Sequence, residues 1–195
     1  MGVPALAREV LAFWFADGHT PHWFARSTGF DAQIRTRFAA AVDAASAGQL
    51  DDWVHTPEGW LALLIMLDQF RRNLYRDDAR AWACDGQALT LALAGIERGD
   101  DQRLPPLQRV FAYMPLEHAE NLVLQHRCVA LFAALCTVAG LDPEQRILLE
   151  SFLDYARRHQ RVIERFGRFP HRNALLGRSG TSAELAYLAL PGAGF

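Results

Sequence analysis

Residues 165–173 read RFGRFPHRN, setting three arginines, a histidine and an asparagine among two phenylalanines, a glycine and a proline. An exposed loop has no need of the rings, and a core segment has no use for the charges. The arrangement is what a rigid polar corner requires. The Phe side chains anchor it, Gly167 and Pro170 set its backbone, and Arg168, His171, Arg172 and Asn173 are presented in fixed directions, with Arg178 just beyond. From Arg157 to Arg178 there are seven arginines against one acid, Glu164. Planar guanidinium groups held in this way suit a carboxylate or phosphate.

Two further clusters carry usable chemistry. In MPLEHAE, residues 114–120, Glu117 and Glu120 are one turn apart and His118 stands between them. Paired carboxylates beside an imidazole suit general acid/base work, although acids in a first helical turn are also what the helix dipole attracts. No ExxH pair or second histidine at i+4 accompanies them, so no metal is expected on local spacing. In LDQFRRN, residues 67–73, Asp68 continues the apolar row of Leu61 and Leu64, so its carboxylate needs a partner. Arg72, one turn on, is the nearest. With Gln69 and Asn73, the architectural reading is a buried network that pins neighbouring helices. His159 lies on the row of Phe152, Tyr155, Ile163 and Phe166 and should face inward.

These clusters interrupt helices. No stretch alternates with period two for long, whereas helical periodicity and stop signals recur. The spacing predicts helices over about 3–16, 31–47, 57–75, 78–98, 115–139, 142–166 and 182–190, with a short one before Met114. Thr56-Pro57, Asp142-Pro143-Glu144-Gln145 and Thr181-Ser182-Ala183-Glu184 are start signals, and Gly48, Gly99 and Gly167 are stops. WLALLIML, residues 60–67, is apolar all round and should be central. The expected fold is all-α, a single domain over 1–195.

Composition narrows the function classes. The chain has 195 residues, 51% hydrophobic and 22% charged, with a formal charge of −2. That balance gives no general attraction to nucleic acid or to an anionic membrane. Every one of the 20 cationic side chains is arginine. Cys84, Cys128 and Cys136 form no disulfide framework or CxxC pair. No leader or membrane span is recognisable, so a cytoplasmic location is expected. There is no GxSxG, no phosphate-cradling glycine loop and no Cys/His pair, which leans against covalent catalysis and nucleotide hydrolysis. No cofactor is specified.

LDQFRRNLYR, FAYMPLEHAENLVLQ, RFGRFPHRNALLGRSGTSAE and the early VLAFWF with its following WF resemble the bacterial family catalogued as domain of unknown function 924. The resemblance covers most of the chain. It departs at Arg71, where the family block has Pro. It implies an all-helical, tetratricopeptide-like fold, a right-handed stack of antiparallel helices, and points to Asp68, Gln69, Arg72, Asn73, Glu117, His118, Glu120, His159, Arg168, His171, Arg172, Asn173 and Arg178. The expectation from residues and resemblance together is a pocket for a small anionic ligand, met by Arg168, Arg172 and Arg72. His118 or His171 would carry a proton, and Glu117 or Glu120 would orient it or act as base. Two alternatives stand beside it. Arg168 and Arg172 could simply pair with Asp68, Glu117 and Glu120, or the helices could form a scaffold for a protein or peptide partner without catalysis.

Overall fold

Trp60–Leu67 is an unbroken apolar run, and every one of its side chains is fully buried. The computed structural model describes residues 2–194, and among them there are helices and turns but no strand. The chain divides into two compact units, one running to Arg76 with Arg80–Pro115, the other comprising Asp77–Ala79 and the residues from Leu116 onward.

The first unit contains α1 (Ala5–Trp14), α2 (Thr28–Ser46), α3 (Pro57–Leu64), α4 (Arg71–Leu74), α5 (Asp85–Arg98) and most of α6 (Pro106–Glu117). Ser27 caps α2 by accepting from the Phe30 N–H, and Thr56 caps α3 through the Gly59 N–H. Between α3 and α4 the residues Ile65–Phe70 form a π-helical turn, all six buried. The rings of Phe13, Trp14, Phe30, Phe38 and Phe70 pack edge to face and offset around this segment, the geometries that aromatic quadrupoles favour. Trp60 crosses to α5, where its indole N–H donates to the Leu91 carbonyl at 2.8 Å. Gly95 makes room for that ring, since a Cβ there would come within 2.1 Å of Trp60 Cε2.

The second unit contains α7 (Leu122–Leu135), α8 (Pro143–Phe166) and α9 (Ser182–Leu188). A connection of seven residues, 136–142, folds α8 back on α7, and the two are the most extensively packed pair in the chain. Asp142 caps α8 through the Gln145 N–H, and Gly167, with φ of 69°, ends it in the left-handed conformation that glycine takes without a steric penalty. Thr181 and Glu184 close a full capping box on α9. Phe169 then packs beneath Val162 and Ile163 of α8, with Phe166 and Tyr187 against the same cluster. The phenylalanines of RFGRFPHRN are the anchors that the sequence suggested.

Two helix boundaries differ from expectation by more than a turn. The helix predicted over 78–98 begins only at Asp85, after a short 3₁₀ turn at Ala79–Trp82. The long helix predicted from Pro115 to Ala139 is two elements: Pro115 lies inside α6, and α7 begins only at Leu122, capped by Asn121 accepting from the Leu124 N–H. Asn is a strong N-cap, and Pro near the end of a helix loses only one backbone bond, so the break moves to Asn121. Gln125 seals it. Its side-chain amide donates to the carbonyls of Glu117 at 2.6 Å and Ala119 at 2.8 Å, with a longer bond to Leu116. Glu117 and Glu120 therefore do not share the first turn of one helix, and the dipole explanation for them falls away.

Candidate functional site

The residues singled out by sequence divide between the two units. Asp68, Gln69, Arg72 and Asn73 belong to the first, and the rest to the second.

In the first unit the π turn places Asp68 and Gln69 inside the core. Asp68 meets the Arg72 guanidinium at 2.9 Å and accepts from the Gln69 amide at 2.5 Å. Arg72 reaches on to both oxygens of Asp85 at 3.1 Å. Asn73 donates to Asp31, which also takes a two-pronged contact from Arg76. Arg71, at the position of departure from the family block, is buried and donates to the Arg80 carbonyl and to Ser46 Oγ. These contacts tie the end of the central helix to α2 and α5, as the architectural reading requires. Nearby, Tyr113 donates to Asp101 at 2.6 Å, and burial, with Asp101 beside it, pushes the phenol well above its usual range.

In the second unit two bidentate ion pairs clamp the RFGRFPHRN corner. Arg178 holds Glu120 at 2.6 and 2.9 Å, and the same carboxylate accepts the Phe169 N–H at 2.8 Å. Partial burial works to raise the Glu120 pKa, but the bonds from Arg178 and the Phe169 N–H outweigh it and hold the carboxyl below its usual range. Arg168 holds Glu184 at 2.6 and 2.8 Å and donates to the Ser179 carbonyl. Arg168, then the Thr181 N–H, bring Glu184 down to about 2, and buried Asn173 adds to the effect. Arg165, Phe166, Arg168, Thr181, Ala183 and Glu184 line an open depression there.

With those clamps in place, a set of ionisable groups collects around the Phe169 ring. The His159 imidazole lies 5.5 Å from it edge-on, His171 lies 5.8 Å away, and the Arg172 guanidinium sits 4.7 Å over its face. His159 faces inward, as its helical row predicted, and is 8% exposed. Its Nδ1 lies 2.9 Å from the Tyr155 carbonyl and 3.2 Å from Glu117 Oε1. His118, in the turn that follows α6, brings its ring to 6.2 Å from His159. Burial, the neighbouring His118, and then Arg172 and His171 hold the His159 pKa down to about 3, with the Tyr155 carbonyl opposing them. The site keeps this imidazole neutral. Glu117 also lies close enough to Cys128 to reinforce the effect of burial, which keeps that thiol protonated.

The ligand atoms of Glu117, His118 and His159 all lie within 4.8 Å of one another. Local spacing could not show this, because His159 arrives from α8, far along the chain. Sequence reasoning also missed Glu184, Asp85 and Asp31 as the partners of Arg168, Arg72 and Asn73. The capping box had flagged Glu184, but only as a cap.

A comparison with curated proteins gives no match. A solved structure of a protein of unknown function from Agrobacterium tumefaciens is similar over 95% of this chain and 97% of that one, with 38% identity and a TM-score of 0.84. The family model described as bacterial protein of unknown function, domain of unknown function 924, matches residues 10–192. The match spans nearly the whole all-helical chain, and the chain belongs to the family of domain of unknown function 924.

Proposed function

We propose that the protein binds a small anionic molecule, a carboxylate or a phosphate, beside the Phe169 ring in its second unit. The observation that carries this reading is the gathering of His159, His171 and Arg172 around that one ring, with His118 and Glu117 on the far side of His159. Arg172 is the guanidinium that lies over the face of the Phe169 ring, which makes it the arginine nearest to a ligand bound there. The Arg172 guanidinium supplies the positive charge and the planar donors that a carboxylate or phosphate takes. Proton transfer to or from the bound molecule falls to His118 or His171, with Glu117 orienting the imidazoles. Glu120 is occupied by Arg178 and the Phe169 N–H and takes no part in that step. Asp68, Gln69, Arg72 and Asn73 are assigned to the architecture of the first unit. The α7–α8 hairpin is the kind of unit that tetratricopeptide arrays stack, and it supports reading the chain as built from such pairs.

The test is thermal unfolding with inorganic phosphate or succinate in the presence of EDTA. A ligand that binds the native state raises the melting temperature in a concentration-dependent way. The wild type is expected to show that rise, and Arg172→Met to lose it while keeping its helical circular dichroism. His171→Gln, at a partly exposed position, gives a second reading should Arg172→Met fold poorly. An equal rise in both variants and the wild type removes the proposal.

A further inference from the structure

We propose that Glu117, His118 and His159 bind a divalent transition-metal ion of the zinc type through two imidazoles and one carboxylate, leaving at least one coordination position open. This rests on the reading of the Phe169 corner as a ligand site and names what would hold the ligand there.

The donor set is the first argument. Two histidines and a glutamate are what zinc and its neighbours take in sites that keep a position for water or substrate. Calcium and magnesium, which prefer oxygen donors throughout, fit it poorly. Distance is the second. At a tetrahedral ion with bonds of about 2.0–2.2 Å the donor atoms stand roughly 3.3–3.5 Å apart, and the three donors already lie within 4.8 Å of one another. Side-chain rotation at His118, which is only partly buried in the turn after α6, can close the difference. Orientation is the third. The Tyr155 carbonyl at 2.9 Å and Glu117 Oε1 at 3.2 Å both face His159 Nδ1, so a backbone carbonyl holds the ring in the direction that meets the carboxylate. A backbone carbonyl that orients a ligating histidine is the usual support behind such a ligand.

The support extends to the other two donors. Gln125 binds the carbonyls of Glu117 and Ala119 and so fixes the backbone on both sides of His118. Glu117 Oε1 already lies 3.2 Å from a ring nitrogen of His159. A bare dication near Arg172 would be repelled. An anion in the open position, bound by both the ion and Arg172, converts that repulsion into attraction at each end. His118 is then a metal ligand, and His171 remains as the proton carrier.

The full chain, stripped with EDTA and dialysed, is titrated with Co2+ alone, then with Zn2+ in competition. Expected are visible absorption bands of a low-coordinate cobalt site that saturate at one equivalent and are erased by zinc. His118→Ala and Glu117→Gln should each weaken cobalt binding at least about 100-fold, the upper end for losing a mere outer partner of a metal site. His126→Ala, which removes an exposed histidine paired with Glu164, should leave it unchanged. Absence of the bands overturns the proposal. So does binding that survives His118→Ala unaltered, or that His126→Ala weakens equally. Should phosphate stabilise the EDTA-treated protein while cobalt fails to bind, the metal falls and the anion site stands. Cobalt bound at these residues with no response to phosphate or succinate gives the reverse.

Discussion

The π turn around Asp68 and the corner around Phe169 hold similar densities of ionisable groups and dispose of them differently. At the π turn, Asp68 meets Arg72, Arg72 meets Asp85, and Asn73 and Arg76 share Asp31. Carboxylate and guanidinium alternate along the helix end. At the corner, Glu120 and Glu184 pair with arginines in the same manner, yet His159, His171 and Arg172 also gather at the Phe169 ring, and His118 and Glu117 approach His159. Ionic density by itself does not mark a site for chemistry. A cluster of imidazoles beside a carboxylate and a guanidinium is the stronger mark.

The sharpest way to break this contrast is at Asp68. Asp68→Asn puts a neutral amide in the buried position that faces Arg72 and Gln69, and although the partly exposed Arg72 keeps Asp85, losing a charge-assisted buried contact costs about 2 kcal/mol. The expected result is a large fall in the urea midpoint, with phosphate stabilisation of the folded fraction unchanged. Retained stability with lost ligand response would place Asp68 in the site and dissolve the distinction.

The pH dependence of the metal-free protein should separate the regions next. The His159 pKa is depressed from 6.5 to about 3, so its neutral form is favoured by folding. That contribution is complete above about pH 6.5 and is lost as the pH falls towards 3. Glu184 is depressed from 4.5 to about 2, and its contribution is lost only in the lower window, between those values. Urea midpoints should therefore begin to decline below pH 6.5. His159→Gln should flatten the decline between about 6.5 and 4.5 while leaving the acid limb. An unaltered profile would show that burial and the neighbouring His118, Arg172 and His171 do not depress His159.

Glu120→Gln is a smaller perturbation. It loosens the Arg178 clamp, a partly exposed bidentate pair, and should cost about 1 kcal/mol in chemical denaturation, reduced further by salt. Because the same carboxylate fixes the Phe169 N–H, phosphate stabilisation should weaken as well. Arg158→Ala provides the baseline. Its pair with Asp154 is half exposed on both sides, and a change within about 0.5 kcal/mol is expected by the same measurement.

How much of this was legible beforehand depends on the range of the interaction. Local signals were readable: the caps at Thr56, Asp142 and Thr181 and the left-handed stops at Gly48, Gly99 and Gly167 all stand where the sequence put them. The inward face of His159 followed from its row on α8. Pairings across long separations were not legible, because nothing in the spacing of Arg168 or Arg72 points to Glu184 or Asp85. The same limit hid the approach of His159 to Glu117 and His118. Pro115 misled for a different reason, since a proline that can open a helix can also be carried near the end of one when a stronger cap lies just beyond it.

The wide turn at Ile65–Phe70 has a bearing on how related chains are compared. Each residue of an α-helix advances the facing direction by about 100°. A relative that lacks a single residue between these positions would continue as an ordinary α-helix and reach Arg71–Leu74 with those side chains aimed elsewhere. Correspondence across this stretch is thus better drawn by direction than by count, with a one-residue gap allowed at the widening.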